Sequence, residues 1–336
     1  MLASEGFLSV ISDSVCLCLV TDDPNAAHAA ATLASVWHFS PKYPAIIVGK
    51  GLTADTRRKF EKLAQSHQNR INIVDAGSVD LSSFEVWGQW SQAVWLKLFI
   101  ADFAPKGVER LIYLDTDTIC LSSVEPLGDL DLDEKAFAAA SEIPLSLEPR
   151  IVQLGIPKYF NTGVMVIDPR EWAKADIKSR AMAYAAEHAN DRDKLAFVDQ
   201  CAINAVAWDK ARTLTPDWNV PINFLELSEA SVLASARIVH FSGPKPWDNP
   251  AIPGAGLYWH FRRMTPWAVE GIPGIKSLNG RLRARFKRFI ERWKSLLYVA
   301  MGRTAGAERS TNRLITLDRN IEFDRLGREL CRQLQK

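Results

Sequence analysis

The chain has 336 residues, 47% of them hydrophobic and 24% charged, with a formal net charge of +2. That length suits one large domain with an appendage, or two domains, and the balance excludes a disordered chain. Five cysteines, Cys16, Cys18, Cys120, Cys201 and Cys331, form no CxxC pair; this argues against a zinc knuckle or a disulfide framework and fits reduced thiols in the cytoplasm. Glu5 and Asp13 interrupt the apolar start and no basic stretch precedes it, so no secretory signal is expected. No apolar run reaches the roughly 18 residues of a spanning helix.

Residues 15–20 are apolar and β-branched and end at Thr21-Asp22-Asp23-Pro24, a strand followed by a turn. An alanine-rich helix is predicted over 25–39, a strand over 45–48, an amphipathic helix over 53–68 and a strand over 71–74. A helix over 90–103 feeds a strand at 111–114. Strands alternating with helices predict βαβ crossovers and a parallel sheet covered on both faces. No GxGxxG follows the first strand, so a dinucleotide fingerprint is absent; the acidic and hydroxyl side chains there suit a ribose or base and repel phosphate.

The strand at 111–114 ends in Asp115-Thr116-Asp117, two carboxylates one residue apart where open α/β sheets bind ligands. Carboxylates that close repel each other, and a divalent cation between them keeps both ionised. Taken alone, the pair reads better as a loop cap on the surface. Further on, a strand is expected at 137–140, a proline-bearing loop over 143–159, and a loop entering a strong strand through Tyr159-Phe160-Asn161-Thr162-Gly163-Val164. Helices are predicted over 171–189 and 201–208, the second preceded by Asp199-Gln200. A strand at 237–241 runs into Ser242-Gly243-Pro244-Lys245-Pro246-Trp247. His240, closing that strand, supplies the nitrogen that with two carboxylates suits Mn²⁺ better than Mg²⁺ or Ca²⁺. Gly243 lets backbone approach a phosphate, and Lys245 neutralises one.

The tail differs in kind. Residues 276–336 hold 16 basic against 6 acidic residues, so +10 of charge sits there and −8 on the remaining 275. Leu278, Leu282, Phe286, Phe289, Ile290, Trp293, Leu296 and Leu297 step by threes and fours among arginines and lysines. Such a helix either lies in an anionic lipid interface or packs on the body with a solvated charged face. The expected division is therefore a catalytic domain over 1–270 and a basic helical extension over 271–336.

In order, Leu-Asp-Thr-Asp, Tyr-Phe-Asn-Thr-Gly-Val, Val-Asp-Gln and His-Phe-Ser-Gly-Pro-Lys-Pro-Trp resemble the motifs of the family 8 glycosyltransferases, from residue 15 to 247. That family includes bacterial lipopolysaccharide galactosyl- and glucosyltransferases and glycogenin. The resemblance implies a GT-A-type nucleotide-sugar-binding α/β domain with a mostly parallel sheet, an Mn²⁺ cofactor (Mg²⁺ as a substitute) and a UDP-sugar donor. It further implies a retaining transfer of galactose or glucose to a glycan or glycolipid, as in lipopolysaccharide or surface polysaccharide synthesis; the cysteines and the basic tail add the expectation of a cytoplasmic protein on the inner face of the plasma membrane. By position, Asp115, Asp117 and His240 resemble the metal ligands, and Thr21, Asp22 and Asp23 the uridine turn. Lys97 and Thr116 resemble donor contacts, Asn161 the residue at the reacting centre, Asp199 and Gln200 the pair along the donor sugar, and Gly243 and Lys245 the phosphate contacts. Pro24 stands where several members have Asn, and the turn from Gly243 to Lys245 is one residue shorter than usual.

Three other readings compete. Hydrophobic-run-DxDxT is also a phosphatase motif, but that motif belongs on a first strand and needs a later acidic pair. A self-glucosylating protein like glycogenin needs an acceptor tyrosine, and none of the six can be nominated. A glycan-binding protein without turnover has no reason to keep so full a set of metal and donor residues. Retention by double displacement wants a carboxylate nucleophile; Gln200 is an amide, which favours attack on the face the UDP leaves.

Overall fold

The first strand is β1, Val15–Asp22, buried along all but its two ends. It is followed by α1 (Ala26–Phe39), β2 (Ala45–Lys50), α2 (Ala54–Ser66) and β3 (Ile71–Asp75). A 3₁₀ helix, Gln92–Phe99, leads to β4 (Arg110–Leu114), β5 (Thr118–Cys120), α3 (Glu125–Gly128), β6 (Phe137–Ser141), α4 (Pro144–Leu154) and β7 (Phe160–Ile167). Then come α5 (Pro169–Lys174), α6 (Ile177–Glu187), α7 (Val198–Ala207), β8 (Ala211–Leu214), β9 (Val220–Pro221), β10 (Ile238–His240) and α8 (Ala255–Arg262). The computed structural model describes residues 14–268, apart from 89, 143, 223–234, 250, 251 and 253, together with 289–290 and 293–294. The predicted extension over 271–336 otherwise lies outside the described residues.

Among the described residues, one sheet runs β3-β2-β1-β4-β7-β6-β8 and a second β5-β10-β9. Strands β3, β2, β1 and β4 are parallel neighbours, as is β6 with β8. The mostly parallel α/β sheet expected from the alternating elements is present, with one departure: β7 runs antiparallel to both β4 and β6. The chain does not cross over directly after β4, so the local alternation of the first half stops predicting direction there.

Alternation along the strands sorts side chains between two cores. Leu17, Leu19, Ile112 and Leu114 face α1, whose buried alanines allow close approach, and the aromatic face of α8. Cys16, Cys18, Leu111 and Tyr113 face the 3₁₀ helix and α7. The four described cysteines form no disulfide and are buried, and burial pushes the Cys18 thiol up to about 12. They behave as small apolar residues rather than nucleophiles.

Three elements differ from expectation. Residues 143–159 were expected as a loop because of their prolines, yet Pro144–Leu154 is a helix with Pro149 inside it. Proline at a helix's first position forfeits nothing, so Pro144 starts the helix and only Pro149 removes an internal hydrogen bond. The helix predicted over 171–189 is broken into α5 and α6 at Asp176, which takes a left-handed conformation (φ 49°) that Asp tolerates better than most residues. The helix predicted over 90–103 is the tighter 3₁₀ segment, with Lys97 in its last turn.

Candidate active site

The chain leaves the large sheet at Leu114 and enters the small one at Thr118, and Asp115 and Asp117 occupy the crossing. Thr118 Oγ1 donates to the Asp115 carbonyl (2.8 Å), and Thr32 Oγ1 in α1 donates to the carbonyls of Thr116 (3.2 Å) and Thr118 (2.8 Å). Sheet change gives the two aspartates different neighbours. Asp115 keeps the face of Tyr113, whose hydroxyl donates to its Oδ1 (2.6 Å), and its N–H donates to the Gly163 carbonyl in β7 (2.8 Å). Asp117 lies beside β10, and its carbonyl accepts from Phe241 N–H (2.9 Å).

Lys97 organises the large-sheet side. Its ammonium is buried, 3.1 Å from Asp115 Oδ1 and 2.8 Å from Asp199 Oδ2, and donates to Thr162 Oγ1 (3.3 Å). Burial opposes its charge, but Asp115 and Asp199 outweigh that and hold its pKa above the ordinary lysine range. Burial raises the pKa of Asp199, with Lys97 pulling the other way. Gln200, in the first turn of α7, is fixed through both ends of its amide. Its Oε1 accepts from Thr162 N–H (3.0 Å), and its Nε2 donates to Glu142 (3.0 Å) and Tyr159 OH (3.2 Å).

On the small-sheet side, His240 Nε2 lies 3.2 Å from Asp117 Oδ1, and Lys245 pairs with Asp117 Oδ2 while donating to the Phe241 carbonyl (2.8 Å). Burial works against the Asp117 carboxylate, yet Lys245 and His240 hold its pKa well below the usual range. The loop bearing Lys245 is pinned by a stack of Trp247 on His28, ring centroids 3.6 Å apart, while His28 Nδ1 shares a 2.6 Å hydrogen bond with Tyr258 OH.

Ligand atoms of Asp115, Asp117 and His240 all lie within 4.8 Å of one another. Two carboxylate oxygens and an imidazole nitrogen that close form a donor set suited to a borderline divalent cation such as Mn²⁺. The group borders an open cleft of about 210 Å³, whose lining includes Thr21, Asp22, Lys97, Thr116, Asp199 and Lys245.

Those six residues, with the metal group, were picked out in the sequence and meet here. Asn161 and Gln200 stand behind them, bound to one another's neighbours through Glu142. Gly243 falls in the turn between His240 and Lys245. Asp23 does not line the cleft; its Oδ1 accepts from Thr53 N–H at the start of α2 (2.8 Å). Asn25 lines the cleft instead, with Asp22 Oδ1 accepting from its Nδ2 (2.7 Å) and its N–H (3.1 Å). Asn25 follows directly on Pro24, the position at which several family members carry Asn. Sequence reading missed Trp90 and Trp247 on the cleft wall, and Asn219 and Glu142 behind it, which no local pattern marks.

A family model described as glycosyl transferase family 8 matches residues 16–251. General stress protein A of Bacillus subtilis (strain 168) is 28% identical over 251 residues, covering 69% of this chain and 86% of its own. Lipopolysaccharide glucosyltransferase WaaO of Escherichia coli (strain K12) is 27% identical over 255 residues, covering 72% and 75%. Among solved structures, that of the galactosyltransferase LgtC in complex with donor and acceptor sugar analogues aligns with a TM-score of 0.65. It covers 75% of this chain and 96% of that one at 21% identity, which shows a shared fold.

Proposed function

The chain belongs to glycosyl transferase family 8, and on that premise we propose that it transfers galactose or glucose from a UDP-sugar to a glycan or glycolipid, with retention and with Mn²⁺. The observation that carries this reading is the convergence of Asp115, Asp117 and His240 beside a cleft lined by Asp115, Asp117, Thr21, Asp22, Asn25 and Lys245. Those three residues would hold the ion, which when bound supplies Lewis-acid stabilisation of the departing diphosphate. Lys245 offers a second positive charge to the same phosphates, and Thr21, Asp22 and Asn25 receive the nucleoside.

Around the sugar, Asp199 stands against Lys97 at 2.8 Å, where its carboxyl group meets sugar hydroxyls. Gln200 is too firmly held, and as an amide too weak, to serve as a nucleophile. Glu142 Oε2 is already engaged by the amides of Asn161 and Gln200, both at 3.0 Å. This arrangement favours same-face attack, in which the acceptor hydroxyl bonds to the anomeric carbon as the carbon–phosphate oxygen bond breaks and the leaving phosphate oxygen takes the proton. A glycosyl adduct trapped on Asp199 or Glu142 and found by mass spectrometry would overturn that step.

A lipopolysaccharide-type acceptor is favoured by WaaO, whose name states that role, and by the basic tail. No helix among the described residues is long and apolar enough to cross a membrane. In the tail, the exposed rings of Phe289 and Trp293 lie 6.1 Å apart, a pairing suited to insertion at a lipid interface beside basic residues. The first test is thermal stabilisation by UDP-galactose, UDP-glucose and UDP-N-acetylglucosamine with Mn²⁺ present. Stabilisation by a UDP-hexose is expected; a shift by none of them would sink the donor assignment.

A further inference from the structure

Behind the metal group lies a row of side-chain amides whose orientations can be worked out one after another. The start is a group that can only donate, the Gly163 N–H, which binds Asn161 Oδ1 at 2.9 Å. Asn161 must therefore turn its oxygen toward Gly163 and its Nδ2 toward Glu142 Oε2, 3.0 Å away. The same Asn161 oxygen lies 2.8 Å from Asn219 Nδ2, which fixes the second amide and leaves Asn219 Oδ1 facing His240 Nδ1 at 2.9 Å. An amide oxygen only accepts, so His240 must carry its proton on Nδ1.

With Nδ1 engaged by Asn219, Nε2 is the ring nitrogen left to ligate an ion, and it faces Asp117 Oδ1 at 3.2 Å. The ring cannot easily move away from this arrangement. It rests against Gly163, where a Cβ would overlap the imidazole, and Asn161, Asn219 and His240 are all buried.

We propose that Asn219 is a positioning residue that fixes His240 with its proton on Nδ1 and its Nε2 lone pair toward the ion, while tying that ligand to Asn161. The inference rests on the metal reading above and deepens it. Hydrogen-bond acceptors behind a ligating imidazole typically contribute 10- to 100-fold to metal affinity. Asn219 joins the metal ligand to Asn161 through one side chain.

The test compares Mn²⁺ binding, from loss of the free-ion electron paramagnetic resonance signal, in wild type, Asn219→Leu and Asn219→Asp, with thermal melts on each. Asn219→Leu removes the acceptor and should bind Mn²⁺ at least tenfold more weakly. Asn219→Asp keeps an acceptor for Nδ1–H and should bind within about threefold of wild type. Its second oxygen repels Asn161 Oδ1, so sugar transfer at saturating Mn²⁺ should still fall. A folded Asn219→Leu that binds Mn²⁺ as wild type does would overturn the proposal. So would an Asn219→Asp variant as weak as Asn219→Leu, even if the leucine variant fails to fold. Wild type that binds no Mn²⁺ would instead remove the metal reading itself.

Discussion

Asp115 and Asp117 stand one residue apart yet belong to two sheets, and their surroundings differ accordingly. On the large-sheet side, one buried ammonium, Lys97, bridges Asp115 and Asp199, and the partners come from the 3₁₀ helix, β4 and α7. On the small-sheet side, Asp117 divides its oxygens between His240 and Lys245, and the supporting hydrogen bonds run through neutral amides. One side is held by charge, a single ammonium between two carboxylates. On the other, Lys245 pairs with Asp117 while the His240 imidazole faces the same carboxylate across 3.2 Å. A DxD pair thus draws on two kinds of preorganisation, and substitutions on the two sides should fail differently.

The largest effect is expected at Asp117→Asn, which keeps the shape but removes the ligand charge. Mn²⁺-dependent transfer should fall by about 10³-fold, at the upper end for removing one transition-state electrostatic contact, with the fold retained by circular dichroism. On the other side, Lys97→Met should act first on stability. It strands two carboxylates, one of them buried, and denaturant melts should show a loss of about 3 kcal/mol, as for one missing partner of a buried pair. If Lys97→Met kept full stability and lost only activity, the contrast between the sides would break.

Gly163→Ala lies at the junction, because Gly163 accepts from Asp115 N–H and supports the His240 ring. Its added Cβ should push the imidazole aside and weaken Mn²⁺ by about 10- to 100-fold, seen by titration of the ion. At the nucleoside end, Asn25→Ala should raise the KM for donor by about tenfold, the equivalent of roughly 1.4 kcal/mol for a hydrogen bond to a charged partner. Smallest of all, Asp23→Asn keeps the acceptor for Thr53 N–H and should leave donor KM within about twofold, as for an ordinary surface change. A large effect there would restore the uridine role that the resemblance implies for Asp23.

The first half of the sheet was legible in the sequence because β1, β2 and β4 are buried on both faces and read as apolar runs ending in polar turns. The aspartate pair was legible for the same reason. Direction was lost at β7, where pairing with β4 is set by contacts some fifty residues apart rather than by any local period. Prolines in α4 misled because only position within a helix decides whether a proline is tolerated. Asn219 lies 58 residues from Asn161 and 21 from His240. Its role is visible only once hydrogen-bond polarity is followed from a backbone donor.

The most direct test of the account is calorimetric binding of UDP to wild type and Asp117→Asn, each with Mn²⁺ and with a chelator. If the two aspartates hold an ion that also grips the diphosphate, Mn²⁺ should tighten UDP on wild type by at least about tenfold, a coupling of about 1.4 kcal/mol, and that gain should vanish in Asp117→Asn. Equal UDP affinity with Mn²⁺ and with chelator on wild type, or the full gain surviving in the variant, would contradict it.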